Sequence, residues 1–517
     1  MAQTTSTSRL PRTSTPSAST IMFGPDSALT CEDLEVLADG EASAAFSAHA
    51  DDAMADSYTT LLSAHRRGDS IYGLTTGFGP HVQFAADTDA ANQGTDLIAH
   101  LGAGCGAFAE RRVSRATLVA RCQTLAQGAS GVNPAAADAL ASLLGSDICP
   151  AIPSIGSVGA SGDLIPLAHV ARVLMGDGLV LGDSGTLTAA ADALASVGLK
   201  PIDLPARDAL GIVNGTSFMT AYAALALARS ERLLRIAESL TAWAYRSLGA
   251  RGQALDHRLH EARGHPGQIT SAECIASELK GHVEDTTRPL QEVYSLRCAP
   301  QILGACRDQL HYARCVIERE LNGVNDNPVI CGTVSDPAVL HGGNFQGQQL
   351  AFAADAANAA LTQASLLIER QLDVVLNPEF NGNAPLLLAW QPGATSGMAG
   401  AQITATAVAA DLRRNAGPSA VATMPTNGRN QDVVSMGTMA ARVLYEQTER
   451  CATILAIHAL ALTQLGFLRA RGRAAGTRTT PPAWLPEVSG FVRDRSLHDD
   501  IARLASHTLT SDVLSSY

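Results

Sequence analysis

Apolar residues in the second half of the chain recur every three or four positions, the spacing that lines one face of an α-helix. After Asn214-Gly215-Thr216, the residues Leu233, Ile236, Leu240 and Trp243 form a coiled-coil-like seam, and Gly249 supplies a stop. The same pattern predicts helices over about 301–323, 345–377, 397–415 and 432–470. Their polar faces are thin, as expected of helices in the middle of a bundle or an oligomer. The first half has a different texture. Residues 21–70 hold acidic and Ala-rich segments that predict short helices, and IYGLTTGFGP (71–80) has the composition of a loop. Small residues in LIAHLGAGCG (97–106) mark close backbone approaches. GLVLGDSGTLT (178–188) alternates about Gly182-Asp183-Ser184-Gly185 and predicts a hairpin. No internal repeat is visible. The expectation is a mainly α fold with a disordered tail over 1–20, a loop-rich N-terminal region over 21–210 and a long-helix bundle over 211–517.

Composition narrows this picture. At 517 residues the chain exceeds one compact core. It is 46% hydrophobic but only 4% aromatic, so small side chains must bring helices close together. A net charge of −12 argues against a nucleic-acid partner, which needs a basic footprint. The ten cysteines are scattered with no CxxC pair, so no zinc ribbon or thioredoxin-type motif is signalled and no metal is expected. Cysteines so dispersed read as small buried hydrophobes in a reducing compartment, which places the chain in the cytoplasm. The apolar stretch Cys451 to Leu468 carries Thr453, His458, Thr463 and Gln464 between two arginines, and it reads as a core helix rather than a membrane span. The first twenty residues are Ser/Thr-rich and acid-free. A disordered tail has that composition, and an organelle transit peptide shares it.

The candidate chemistry lies in GSVGASGDLIPLAHV (156–170). No Gly-Lys-Ser/Thr follows its glycines, and it lacks GxGxxG spacing, so it is neither a P-loop nor a dinucleotide turn. Ala160-Ser161-Gly162 is a tripeptide that can cyclise. The Gly162 nitrogen can attack the Ala160 carbonyl where the backbone bends tightly, and loss of two waters leaves a ring with an exocyclic methylene, a strong electrophile. Three residues alone read more simply as a glycine turn. Their surroundings decide otherwise: YGLTTGFG (72–79), NGTSFM (214–219), HPGQ (265–268), QEVYSLRCAPQ (291–301), ELNGVNDNP (320–328), HGGNFQGQ (341–348) and NGRNQDVVSMG (427–437) follow in a fixed order.

Together these motifs resemble the aromatic amino acid lyase family, which comprises histidine, phenylalanine and tyrosine ammonia-lyases and the related 2,3-aminomutases; bacterial tyrosine ammonia-lyases are nearest in motifs. The resemblance implies a fumarase/aspartase-like superhelical architecture and a homotetramer with shared active sites. It implies a 4-methylidene-imidazole-5-one made autocatalytically from Ala160-Ser161-Gly162, with no external cofactor, acting on a small aromatic amino acid. By the same resemblance Tyr72 is the base for the β-proton, and Arg297 holds the substrate carboxylate through its planar fork. Asn214 lies near the electrophile and the carboxylate. Gln291 and Tyr294 hydrogen-bond around the electrophile, Phe345 and Gln431 line the amine and side-chain regions, and Gly79 joins the substrate contacts. Asn344 belongs to that set by motif, although scaffold is its simpler role, as it is for Asn325-Asp326-Asn327.

Two positions bear on the substrate. In the family, a pair after the TTGFG loop faces the side chain, and here it is His100-Leu101, as in tyrosine lyases. A histidine there can pair a buried phenol. Histidine lyases carry Glu where this chain has Gln431, which disfavours histidine. Asp96 in GTDLIAHL stands where the family usually has Asn. The expected reaction is L-tyrosine to trans-p-coumarate. Phenylalanine elimination and a 2,3-aminomutase use the same parts. A non-enzymatic helical scaffold leaves the electrophile segment and the Tyr72 loop unexplained.

Overall fold

The seam after Thr216 becomes one helix, Ser217–Leu248, 32 residues long and buried along almost its whole length. Gly249 ends it in the left-handed region at φ +63°, where an L side chain is strained. In the computed structural model, which describes residues 20–87, 89–476 and 479–510, this helix packs against Ala299–Leu321, Gln348–Leu376 and Gly437–Ala470. With Ala399–Arg414 flanking Gly437–Ala470, these are the helices that the periodicity predicts, with ends within a few residues. Ala and Leu dominate their contact faces. Small side chains let the axes approach, and burial of the leucines supplies the main stabilisation.

Gly437–Ala470 is apolar and long enough to cross a bilayer, but 78% of its most apolar window is buried inside the fold. It is a core helix, as its internal Thr, His and Gln suggest. All ten cysteines are unpaired.

The N-terminal region departs further from expectation. Residues 21–70 hold one short helix, Cys31–Asp39, opened by a Thr30–Asp33 capping box. The second helix, Ala48–Arg67, runs for 20 residues and is not short. A parallel strand pair, Thr20–Phe23 with Ser43–Phe46, was not expected from the pattern. Its period-2 signal covers only four residues per strand, too few to separate from a loop. Thr20 therefore belongs to a strand, and the rest of the predicted tail lies outside the described residues. The predicted hairpin is present, with Leu179–Leu181 antiparallel to Leu187–Ala189. One continuous core joins Phe23 to Leu504, and the helix Ala206–Val213 crosses the predicted 210/211 boundary.

Candidate active site

Loops from both regions close around one cavity of about 920 Å³. Its floor is the turn carrying Ala160, Ser161 and Gly162. Gly162 sits at φ +62°, and a Cβ on it would lie 2.1 Å from Gly215 O, so only glycine fits. The two glycines form an isolated bridge, and the Asp163 amide donates to Gly215 O at 2.7 Å. Gly159 is tied to the bundle, since Ser435 Oγ donates to its carbonyl at 2.9 Å. The tripeptide is thus bent tightly and pinned at both ends.

Asp163 locks the turn from below. Fully buried, its carboxylate accepts from Ser157 Oγ (2.8 Å), Thr438 Oγ1 (2.5 Å) and the Met219 amide (2.8 Å). Burial pushes its carboxyl up to about 6 against the pull of these donors. Above the turn, Gln431 Nε2 donates to Ser161 Oγ at 2.8 Å.

Tyr72 faces the same cavity. The Gly79 amide donates to its hydroxyl at 2.8 Å, and the Tyr72 amide donates to His341 Nε2 at 3.1 Å. Burial raises the Tyr72 phenol above its ordinary value, while the Gly79 amide and the Arg207 charge oppose the rise. Gly79 is at φ +53°, and a Cβ there would meet Asn427 Nδ2 at 2.9 Å. The residue that steadies the phenol oxygen must therefore be glycine.

Asn214 caps the helix Ala206–Val213. Its Nδ2 donates to Asp326 Oδ1 (2.9 Å) and Asn327 O (3.0 Å). Both partners only accept, so the NH₂ group is fixed inward and Oδ1 is the atom left for the cavity. Arg207 holds Asp326 at 2.6 Å, with Arg121 at 3.7 Å, all three side chains being buried. Burial pulls the Arg121 guanidinium down to about 10. This network is what sequence reasoning missed. Its only signal was ELNGVNDNP, which reads as scaffold because nothing in a sequence pairs Asp326 with arginines about 120 and 200 residues away.

The helix Ala90–Leu101 brings His100 and Leu101 to the cavity wall, and Phe345 and Gln431 close it from other segments. Tyr72, Gly79, Asn214 and Ala160-Ser161-Gly162 are brought together with them.

Four expected residues are absent from this cavity wall. Tyr294 is 69% exposed, and the Arg297 guanidinium lies over its ring at 4.5 Å. Arg297 Nε donates to Glu292 O at 2.9 Å. With Gln291 they ride on a segment that Glu292 fastens to Arg251 and Arg288, and Arg288 reaches Leu248 O at the far end of the long helix. Asn344 is also off the wall, donating to Val324 O at 3.1 Å. Within one chain, then, Gln291, Tyr294, Arg297 and Asn344 do not surround the Ala160-Ser161-Gly162 turn.

A helical bundle presenting a tightly bent Ala-Ser-Gly tripeptide, a half-buried tyrosine and an acceptor asparagine to one cavity is the arrangement of a carbon–nitrogen lyase class. The family description "Aromatic amino acid lyase" matches residues 29–482, and the chain belongs to that family. It is 40% identical over 467 residues to a tyrosine ammonia-lyase of Cereibacter sphaeroides, covering 86% of this chain and 89% of that protein. It is 37% identical over 485 residues to a histidine ammonia-lyase of Treponema denticola, covering 92% and 94%. The crystal structure of tyrosine aminomutase from Streptomyces globisporus superposes with a TM-score of 0.85 at 33% identity, covering 95% of this chain and 97% of that one. The mainly helical lyase architecture is thereby established.

Proposed function

We propose that this chain eliminates ammonia from an aromatic L-amino acid, with L-tyrosine giving trans-p-coumarate as the favoured reaction. The observation that carries this reading is the convergence of Ser161, Tyr72 and His100 on one cavity. The tripeptide fits a methylidene-imidazolone: the turn is tight, Gly162 tolerates no side chain, and Ala160 and Ser161 face the cavity. Such a group supplies an electrophilic carbon that takes up the substrate amine and makes it a better leaving group.

The chain's own residues do the rest. Tyr72 removes the β-proton at its phenol oxygen, and the Gly79 amide stabilises the charge that the oxygen carries as phenolate. Asn214 Oδ1 accepts an N–H of the substrate amine, because its NH₂ is already committed to Asp326 and Asn327. His100 and Leu101 meet the aromatic side chain, and Phe345 packs beside it. Gln431 sits at the amine end, next to Ser161.

The carboxylate anchor is supplied by assembly. Among the described residues of one chain no Lys or Arg lines the cavity wall, and Arg297, half-buried, lies elsewhere on the chain with exposed Gln291 and Tyr294. A homotetramer in which these three reach a neighbouring copy's cavity completes the site, and it covers apolar surface such as Leu290, 77% exposed. We read 21–210 as the region carrying base loop and electrophile, 211–517 as the assembly bundle, and the unpaired cysteines as fitting the cytoplasm.

An ultraviolet assay with tyrosine, phenylalanine and histidine tests the reading. Coumarate should form fastest, and urocanate formation exceeding coumarate would overturn the substrate assignment. The likeness to an aminomutase supports a second reading, return of the amine to the β-carbon; chromatography for a β-amino acid separates the two.

A further inference from the structure

Asp96 and His100 stand four residues apart on the helix Ala90–Leu101 and line the same cavity. At that spacing their Cβ atoms are about 5–6 Å apart on one helix face. His100 Nδ1 lies 3.0 Å from the Asp96 carbonyl oxygen. A carbonyl only accepts, so Nδ1 carries the proton, and Nε2 of the neutral ring is left as an acceptor. The Asp96 carboxylate is exposed and makes no side-chain hydrogen bond or ion pair among the described residues. Among the described residues of one chain no Lys or Arg lines the cavity wall to neutralise it, and the Arg297 that a neighbouring copy supplies is committed to the substrate carboxylate. This stretch of wall therefore offers two neighbouring acceptors. An Asn at position 96, as the family usually has, would donate as well as accept. The carboxylate removes that option and fixes the polarity.

We propose that Asp96 is a second specificity-determining residue, and that the cavity takes a 3,4-dihydroxyphenyl ring. The para hydroxyl donates to His100 Nε2 and the meta hydroxyl donates to the Asp96 carboxylate. This rests on the reading above that His100 faces the substrate ring. A hydrogen bond to an ionised acceptor is about twice as strong as a neutral one, so the second hydroxyl gains more here than against an amide. A meta-methoxy group, which can only accept, is set against the carboxylate and disfavoured.

The test is kcat/KM for tyrosine, 3,4-dihydroxyphenylalanine and 4-hydroxy-3-methoxyphenylalanine, on the wild type and on Asp96→Asn. The wild type should favour the dihydroxy over the methoxy substrate by about tenfold or more. Asp96→Asn should narrow that ratio by about fivefold, since an amide can donate to the methoxy oxygen. A wild-type ratio near one overturns the proposal. So does a ratio that Asp96→Asn leaves unchanged, which would assign the discrimination to size. If the variant does not fold, the wild-type ratio still decides. Failure of all three substrates would strike the elimination reading itself, whereas turnover of tyrosine with poor turnover of the dihydroxy substrate would strike this proposal alone.

Discussion

The turn at 160–162 and the segment at 291–297 are both read from the sequence as parts of one site, yet the chain treats them oppositely. The turn is over-determined. Gly162 admits no side chain, Gly215 bridges it, and Asp163 anchors it through three hydrogen bonds, two of them from distant segments. The 291–297 segment is held firmly at Glu292 but presents Tyr294 to solvent. On the proposed function, the difference follows from the task of each. A cyclisation within one tripeptide needs its atoms placed to a fraction of an ångström, which only surrounding packing in the same chain can do. A carboxylate anchor needs a charge at the right distance, and another copy can bring it.

The sharpest way to break this contrast is Ser161→Ala. Intact mass should show the wild type two waters lighter than its sequence, the variant at full mass, and elimination lost. An active wild type at full sequence mass would sink the electrophile. Gly162→Ala should come close behind, because its Cβ would stand 2.1 Å from Gly215 O; a folded, dehydrated and active variant would show that the turn is not over-determined.

Arg297→Ala should lower kcat/KM by roughly 3 kcal/mol, on the order of a hundredfold, with Arg297→Lys recovering only part. The contrast is sharpened by mixing. Chains carrying Tyr72→Phe and chains carrying Arg297→Ala, each nearly inactive, should regain activity in mixed assemblies. No recovery would mean both residues serve the same copy's site.

The pH profile probes the base. Burial raises the Tyr72 phenol, so the phenolate fraction, and with it the rate, should climb from neutral into alkaline pH. A rate falling across that range would remove Tyr72 as the base. His100→Phe should have the smallest effect, a selectivity switch of about 1–3 kcal/mol from tyrosine toward phenylalanine. Equal losses on both substrates would leave His100 as a fold residue only.

Much of the fold was legible because it rests on local repetition. The long helices announce themselves through period-3.6 patterning, and Gly249 marks an end because its φ is positive. Short elements were legible only where a turn sequence marked them, as in the hairpin Leu179–Leu181 with Leu187–Ala189. The strand pair Thr20–Phe23 with Ser43–Phe46 depends on two segments meeting in space, and four residues carry too little pattern. In the site, Tyr72 and Ala160-Ser161-Gly162 were visible through flanking motifs. The orientation of Asn214 was not, since it depends on Asp326 and Arg207 converging from separate elements.

What the sequence determined by itself was therefore the class of chemistry and the helical frame, because both are written in contiguous residues: a cyclisable tripeptide in one turn, an apolar stripe along one helix. Only the tertiary structure decided which atoms share a cavity. It gave Asn214 an acceptor face, gave the Tyr72 oxygen a partner in Gly79, and put Arg297 outside the wall. Those outcomes turn on long-range packing and burial, which set hydrogen-bond direction and proton affinity but leave no local mark on the chain.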